Sequence, residues 1–116
     1  MKIKLFGKEV VLIVCFVLFL SALTFAEEVR LQGKVDEINL KISKVVVNEK
    51  TFVWNSDTKF LDEKGLPTVV EKLKVNTWVY IEAVKAKKGK PNTIQKIYFL
   101  PGYIPQGERG QYPFMQ

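Results

Sequence analysis

The sequence predicts an all-β protein with one short helix, preceded by a segment that does not belong to the fold. Apolar and polar side chains alternate with a period of two through most of residues 27–100, which is typical of half-buried strands. Helical periodicity is confined to one short stretch, residues 69–73. The first 26 residues have the pattern of an export signal. We therefore expect a small β-rich domain behind a leader.

The leader has the three parts of a signal peptide. Lys2, Lys4 and Lys8 form a cationic start, and residues 10–20 are an unbroken apolar run. The small-x-small sequence at 24–26 then offers a cleavage site. We predict a signal peptide over residues 1–26, cleaved after its last residue, and a periplasmic or secreted protein.

A membrane anchor is the alternative for the same segment. A spanning helix needs about 20 predominantly apolar residues. Residues 10–26 supply 17, and Ser21 and Thr24 interrupt the end of that run. If the segment is not cleaved, residues 10–26 would anchor the protein, and membrane contact would be made only through them.

The remaining 90 residues contain neither cysteine nor histidine. The full chain has 18 basic and 12 acidic residues, and setting aside Lys2, Lys4, Lys8 and Glu9 leaves 15 and 11, a net charge of +4. Such a chain has no disulfide and is large enough for one small core. We predict a single domain at 27–100 and a proline- and aromatic-rich tail at 101–116.

The first strand is predicted from Val29, which shares one face with Leu31, Gly33 and Val35. Ile38 breaks this alternation, so we expect a β-bulge after the glycine. The second and third strands, residues 44–48 and 51–55, are joined by a short turn and form a hairpin.

The second half of the domain begins with a polar loop, residues 55–67, in which Thr58 and Phe60 make a brief extended edge. Thr68 is a predicted N-cap for the short helix at 69–73, with Glu71 completing a capping box. Asn76 tolerates the left-handed backbone of a tight strand entry. Two further strands follow, at 77–86 and 93–100, separated by a lysine-rich turn.

Five strands with a helix between the third and the fourth match a Greek-key barrel of the OB type. Closing the sheet also removes exposed strand edges. We therefore predict a five-stranded OB-like barrel, while a β-meander or a small open sheet remains the alternative.

Several spaced residues resemble a known group of proteins. They are Gly33-x-Val35-x-x-Ile38, Val45-x-Val47, Thr58-x-Phe60 and the run Leu73-Lys74-Val75-Asn76-Thr77-Trp78-Val79-x-Ile81. This pattern, over residues 29–100, is similar to that of small exported bacterial OB-like β-barrel domains of unknown function. The chain departs from it at Asn76, where such domains usually have glycine. The resemblance implies the fold and an envelope location, and no catalytic residue carries over.

The composition disfavours catalysis and metal binding. Without histidine or a thiol in residues 27–116, the usual nucleophile–base pairs and zinc, copper or haem ligands are missing. Asp57, Asp62 and Glu63 share one loop, but they lack the spacing of a calcium loop. We therefore predict a non-enzymatic protein with no catalytic residues, no metal site and no cofactor.

A binding surface is predicted on the face opposite the core. If Val79 and Ile81 point inward, the aromatic residues between them point outward. The lysine-rich turn and the aromatic residues of the tail extend this face. The candidate binding residues are Trp78, Tyr80, Lys85, Lys87, Lys88, Lys90, Tyr103, Tyr112 and Phe114.

These features predict an exported binding or structural module of the bacterial cell envelope, whose partner is an envelope protein or polymer. The alternative is a barrel groove that binds an oligosaccharide or a single-stranded nucleic acid. Export disfavours the nucleic acid. Disordered tails are usually poor in aromatic residues, so the tail should pack on something, first on its own barrel and otherwise on a partner.

Overall fold

The computed structural model describes residues 27–116, so the predicted signal peptide and the alternative anchor lie outside the described residues. This part of the chain forms six strands and three short 3-10 helices. The strands are β1 (Glu28–Asn39), β2 (Lys44–Val47), β3 (Lys50–Val53), β4 (Lys59–Leu61), β5 (Trp78–Val84) and β6 (Asn92–Leu100). The 3-10 helices are Val70–Lys72, Gln106–Gln111 and Pro113–Met115. Within residues 27–116, no helix is long and apolar enough to cross a membrane.

Five of the strands close into a ring in the order β1-β2-β3-β6-β5. All neighbours are antiparallel except β3 and β6, whose parallel pairing joins Phe52 to Asn92 and closes the barrel. β1 serves two partners, because its first half pairs with β5 and its second half with β2. The predicted five-stranded OB-like Greek-key barrel is confirmed.

β1 contains the predicted bulge, a little further along the chain than expected. Its register against β2 shifts between Val35 and Glu37, rather than directly after Gly33. The glycine has a different role, since an added Cβ would lie 2.7 Å from Cγ1 of Val47 and 2.8 Å from Cγ of Asn48. Gly33 thus lets two strands approach closely where β1 passes from one partner to the other.

The two predicted turns are present, and each has an asparagine in the left-handed region of backbone conformation. Asn48 and Glu49 link β2 to β3 with φ values of 51° and 65°, as a two-residue type I′ hairpin turn requires. Asn76, before β5, has φ 73°, so it adopts the left-handed backbone that an asparagine tolerates.

The helix between β4 and β5 differs from the prediction. It is one 3-10 turn, Val70–Lys72, with Val69 at its N-cap and no side-chain cap hydrogen bond. The prediction that Thr68 caps it with Glu71 is wrong, because the Thr68 amide donates to the Phe60 carbonyl over 2.8 Å and so extends the edge of β4. The brief extended edge predicted near Thr58 and Phe60 is β4, which pairs parallel with β6 outside the ring.

The barrel interior is filled mainly by aliphatic side chains. As predicted, Val79 and Ile81 point inward and are fully buried. Alternate residues of the other ring strands join them, and Leu73 comes from the loop before β5. The interior residues are Val35, Val45, Val47, Phe52, Leu73, Val79, Ile81, Ala83, Ile94, Ile97 and Phe99.

Candidate binding surfaces

The tail packs on the outer face of its own barrel. Ile104 and Met115, from its beginning and end, are only 3% and 6% exposed. They lie in a second apolar cluster, separate from the barrel interior, on the outer side of β4, β5 and β6. The buried members of this cluster, which we call the tail cluster, are Leu61, Tyr80, Tyr98, Leu100, Ile104 and Met115, with Trp78, Tyr112 and Phe114 packed against them.

Phe114 is the aromatic centre of the tail cluster. Its ring stacks on that of Tyr98 with the centroids 3.8 Å apart and the planes 4° from parallel. Tyr80 and Tyr112 meet the same ring at 5.8 and 5.9 Å. The predicted site residues Tyr80, Tyr112 and Phe114 are therefore brought together, in one aromatic cluster with Tyr98.

Burial changes the chemistry of the two tyrosines on the barrel side. It raises the pKa of Tyr80 and the pKa of Tyr98, because the ionised phenol loses its hydration. Tyr80 is only 6% exposed beneath the tail. While the tail is in place, its ring has no free face on which a sugar or a base could stack.

One side chain of the barrel clamps the start of the tail. The Gln32 amide group accepts a hydrogen bond from the Ile104 N–H over 2.7 Å and donates one to the Ile104 carbonyl over 3.1 Å. Both backbone groups of Ile104 are thus bound by one planar side chain, as they would be by a neighbouring strand. The clamp fixes the position of the adjacent Tyr103.

Tyr103 and Trp78 form an aromatic pair at the rim of the tail cluster. Their ring centroids lie 5.5 Å apart at 61°, an edge-to-face arrangement. Tyr103 remains 59% exposed, whereas Trp78 is half-buried. Of the predicted aromatic site residues, Tyr103 is the one that presents most of its surface to solvent.

The lysine-rich turn lies at the other end of the β5–β6 hairpin. Trp78 begins β5 and Val84 ends it, which separates the two regions by about 20 Å at roughly 3.3 Å per residue. Lys85 pairs with Glu27 at 3.3 Å, with both side chains exposed. Lys87, Lys88 and Lys90 are exposed in the turn itself. The single predicted surface is therefore two surfaces.

A shallow groove beside the lysine-rich turn was not predicted from the sequence. Its volume is about 480 Å³, and it runs along the beginning of β6 between the end of β5 and the loop before β4. The residues that line it are Asn55, Asp57, Lys59, Val84, Thr93, Ile94, Gln95 and Lys96. These positions are far apart in the chain and belong to no motif, and the pairings of β6 with β4 and with β5 bring them together.

The tip of the β1–β2 connection is a second unpredicted feature of this end of the barrel. Leu40 and Ile42 are 64% and 61% exposed there. The tip is fixed to the barrel because the Trp54 amide donates to the Ser43 carbonyl over 3.0 Å. In the sequence, the tip is marked only by two aliphatic side chains that alternate with Asn39 and Lys41. The same pattern is typical of a strand that continues, so it did not indicate an exposed tip.

Among residues 27–116, no group of three or more histidine, cysteine, aspartate or glutamate side chains is placed to hold a metal ion. Of the three carboxylates predicted to share one loop, Asp57 precedes β4, whereas Asp62 and Glu63 follow it. Backbone amides of Leu66 and Lys64 donate to the Asp62 carboxylate at 2.9 Å each, and these bonds lower the pKa of Asp62. The Asp62 carboxylate therefore stabilises the loop in which it lies.

Neither a family model nor a curated protein sequence matches the chain. Among solved structures, it is similar to the fimbrial biogenesis protein PilY2 of Pseudomonas aeruginosa PAO1, with a TM-score of 0.50 and 18% identity over 64% of this chain and 88% of PilY2. It is also similar to residues 10–88 of CusF of Escherichia coli with Ag(I), with a TM-score of 0.49 and 16% identity over 65% of this chain and 94% of that CusF chain. At 18% identity, the likeness to PilY2 concerns the fold alone.

Proposed function

We propose that this protein is an exported, non-enzymatic binding or structural module of the bacterial cell envelope, and that it contacts a partner protein. The pattern of residues 1–26 supports export. The composition of the rest, which lacks histidine and cysteine, supports a role in binding rather than catalysis. The similar fold of PilY2, which is named as a fimbrial biogenesis protein, is in keeping with a role in envelope assembly.

The observation that carries the proposal is the exposed Tyr103, held by Trp78 at the rim of the tail cluster. Tyr103 is 59% exposed, yet Trp78 contacts its ring and the Gln32 clamp holds the next residue. A large aromatic side chain that is held in place before binding loses little entropy when a partner covers it. Such rigid aromatic anchors supply much of the binding energy in protein interfaces.

Site-specific photo-crosslinking in living cells tests this proposal. A photoreactive phenylalanine analogue at Tyr103 should form one discrete adduct with an envelope protein, recovered from the envelope fraction. The matched control carries the same analogue at Lys88, an exposed position at the far end of the β5–β6 hairpin, and should give no adduct. A chain found in the cytoplasm, or an adduct from Lys88 and none from Tyr103, would contradict the proposal.

The groove beside the lysine-rich turn favours a second candidate, the binding of an oligosaccharide or a single-stranded nucleic acid. OB barrels bind such polymers between the loops after their first and fourth ring strands. In this chain those loops carry Lys41 on one side and Lys85, Lys87, Lys88 and Lys90 on the other. The residues that line the groove add Lys59 and Lys96, together with the acidic Asp57.

Salt titration separates the two candidates. A complex with a short oligonucleotide or an anionic polysaccharide should weaken steeply as salt rises, because the bound lysines release counterions. Replacing Lys87, Lys88 and Lys90 by glutamine should abolish it, and Tyr103→Ala should leave it unchanged. An interaction centred on Tyr103 should show the opposite pattern.

A further inference from the structure

The first half of β1 has a free edge within the described part of the chain. β5 pairs with it from Glu28 to Lys34, but β2 joins β1 only from Val35 onward. On the side away from β5, no strand of residues 27–116 therefore lies beside residues 28–31. This is a gap in an otherwise closed ring.

The register shows which backbone groups face that gap. The Lys85 amide donates to the Glu27 carbonyl, and the Val35 amide donates to the Thr77 carbonyl, both over 2.9 Å. Both pairs continue the β1–β5 ladder, in which successive residues alternate in the direction of their N–H and C=O groups. Odd-numbered residues of β1 thus bond to β5, while Glu28, Arg30 and Gln32 direct their groups outward.

The gap has a defined end. The Asn48 side chain donates to the Gln32 carbonyl over 3.3 Å, and the β2–β3 turn lies against Gly33. An added strand can therefore run alongside β1 only as far as about residue 32. The outward N–H and C=O groups of Glu28 and Arg30 remain for it to bind, and residues 27–116 supply no partner for them.

The charges across the sheet specify what should lie opposite Arg30. Cross-strand neighbours on the outer face run from Lys96 through Glu82 to Arg30, so the signs alternate. Glu82 is the main cause that raises the pKa of Arg30. The side chains of Arg30 and Glu28 form an ion pair within the chain at 3.3 Å, and they are 48% and 53% exposed at the free edge. Opposite charges stabilise cross-strand pairs, so the next strand should place a carboxylate beside Arg30.

We propose that a second copy of this chain fills the gap, with the two β1 strands antiparallel and Val29 opposite Val29 of the second copy. This register places Glu28 of each chain opposite Arg30 of the other, so the alternation of charge continues. It also pairs outward-facing residues with outward-facing residues, as the ladder requires.

Neighbouring registers fail on charge or on space. A shift that centres the two-fold axis on Arg30 opposes two guanidinium groups, and one that centres it on Glu28 opposes two carboxylates. A register centred further along β1 would require the added strand to lie beside residue 34, where the β2–β3 turn already lies. The register centred on Val29 is the one that the edge accommodates.

Sedimentation equilibrium of the exported chain, purified from envelope extract, tests the proposal. The wild type should dimerise reversibly. Because two symmetric Glu28–Arg30 pairs become like-charged, Arg30→Glu and Glu28→Arg should each raise the dissociation constant by about tenfold or more. The double exchange E28R/R30E should restore dimerisation, and Lys50→Glu, an equal charge change on β3, should leave it unchanged. A monomer at every concentration, or a double exchange that fails to restore the dimer, would overturn the proposal.

Amide hydrogen exchange gives a second readout that does not depend on the substitutions. The Arg30 amide should become protected as the protein concentration rises, whereas the Val29 and Leu31 amides, which bond to β5, should be protected at every concentration. Protection of Arg30 that requires an added envelope protein, in a chain that is itself monomeric, would assign the edge to that protein and overturn the second-copy proposal.

Discussion

The barrel interior and the tail cluster are two apolar cores built in different ways. The interior is mainly aliphatic, and each strand that contributes to it is hydrogen-bonded to two neighbouring strands of the ring. The tail cluster is largely aromatic, and one of its two walls is a segment without strands. That segment depends on ring stacking and on the Gln32 clamp. The interior should therefore define the fold, while the tail should open at a lower free energy than the barrel.

The largest effect should come from the barrel interior. Phe52 lies at the closing β3–β6 pair and is fully buried. Phe52→Ala should lower the free energy of unfolding by about 3–5 kcal/mol, because it leaves a cavity among residues that ladders hold in place. Urea unfolding followed by circular dichroism measures this. If the variant lost the tail contacts and kept the wild-type barrel stability, the ranking of the two cores would be reversed.

A smaller effect is expected in the tail cluster. Phe114→Ala removes the stacking on Tyr98 and should cost about 1–2 kcal/mol, since the side chain is only half-buried. Trypsin should cut faster after Arg109, while the strand signal in circular dichroism stays unchanged. Tyr103→Ala, a change at an exposed aromatic of the same tail, is the control and should cost less. Cooperative loss of the barrel in Phe114→Ala would show that the two cores unfold as one.

The clamp should contribute less than the stacked rings. Gln32→Ala removes two hydrogen bonds to Ile104 at a partly exposed site, where water can replace them in part. We expect a loss of about 1 kcal/mol and faster hydrogen exchange at the Ile104 amide. Gln95→Ala, on the exposed side of β6, should change neither quantity. Unchanged exchange at Ile104 in Gln32→Ala would mean that the rings alone hold the tail.

The smallest effect on stability should come from Tyr80, and it should appear only in alkaline solution. Burial raises the pKa of Tyr80, so the folded chain holds the phenol proton to a higher pH than the unfolded chain does. The resulting stability is fully present below the unfolded pKa of about 10 and is lost as the pH rises through the folded value. Melting temperatures of Tyr80→Phe and wild type should therefore diverge above about pH 10, with the wild type falling more steeply. Parallel curves would show that Tyr80 ionises freely beneath the tail.

The contrast between the cores also explains what the sequence could predict. Period-two alternation placed Val79 and Ile81 in the interior, and Asn48 and Asn76 indicated their turns, because these signals are local. The clamp joins Gln32 to Ile104, residues 72 positions apart, and no spacing rule connects them. The tail has proline and aromatic residues without a period, so its packing was predicted while its contacts were not.

The incorrect cap at Thr68 has the same origin. Its sequence context fits a capping box, but the Phe60 carbonyl of β4 competes for its backbone amide. Because β4 has only three residues, its sequence shows almost no alternation of apolar and polar side chains. The sequence therefore could not indicate that the Phe60 carbonyl accepts this hydrogen bond. The separation of the lysine-rich turn from Trp78 was missed for a simpler reason, since nearness along the chain conceals the length of the strand between them.

The parallel β3–β6 pair has a consequence for how the chain matures. The ring can close only when Phe52 pairs with Asn92, which lies 40 positions later in the chain. If the polypeptide emerges from a pore with its amino end first, β1, β2 and β3 can pair early. The outer edge of β3 would then stay unpaired until nearly the whole chain has passed through the pore. Contacts this distant in sequence slow folding, so the newly arrived protein would be vulnerable to proteases for longer than a helical protein of equal size.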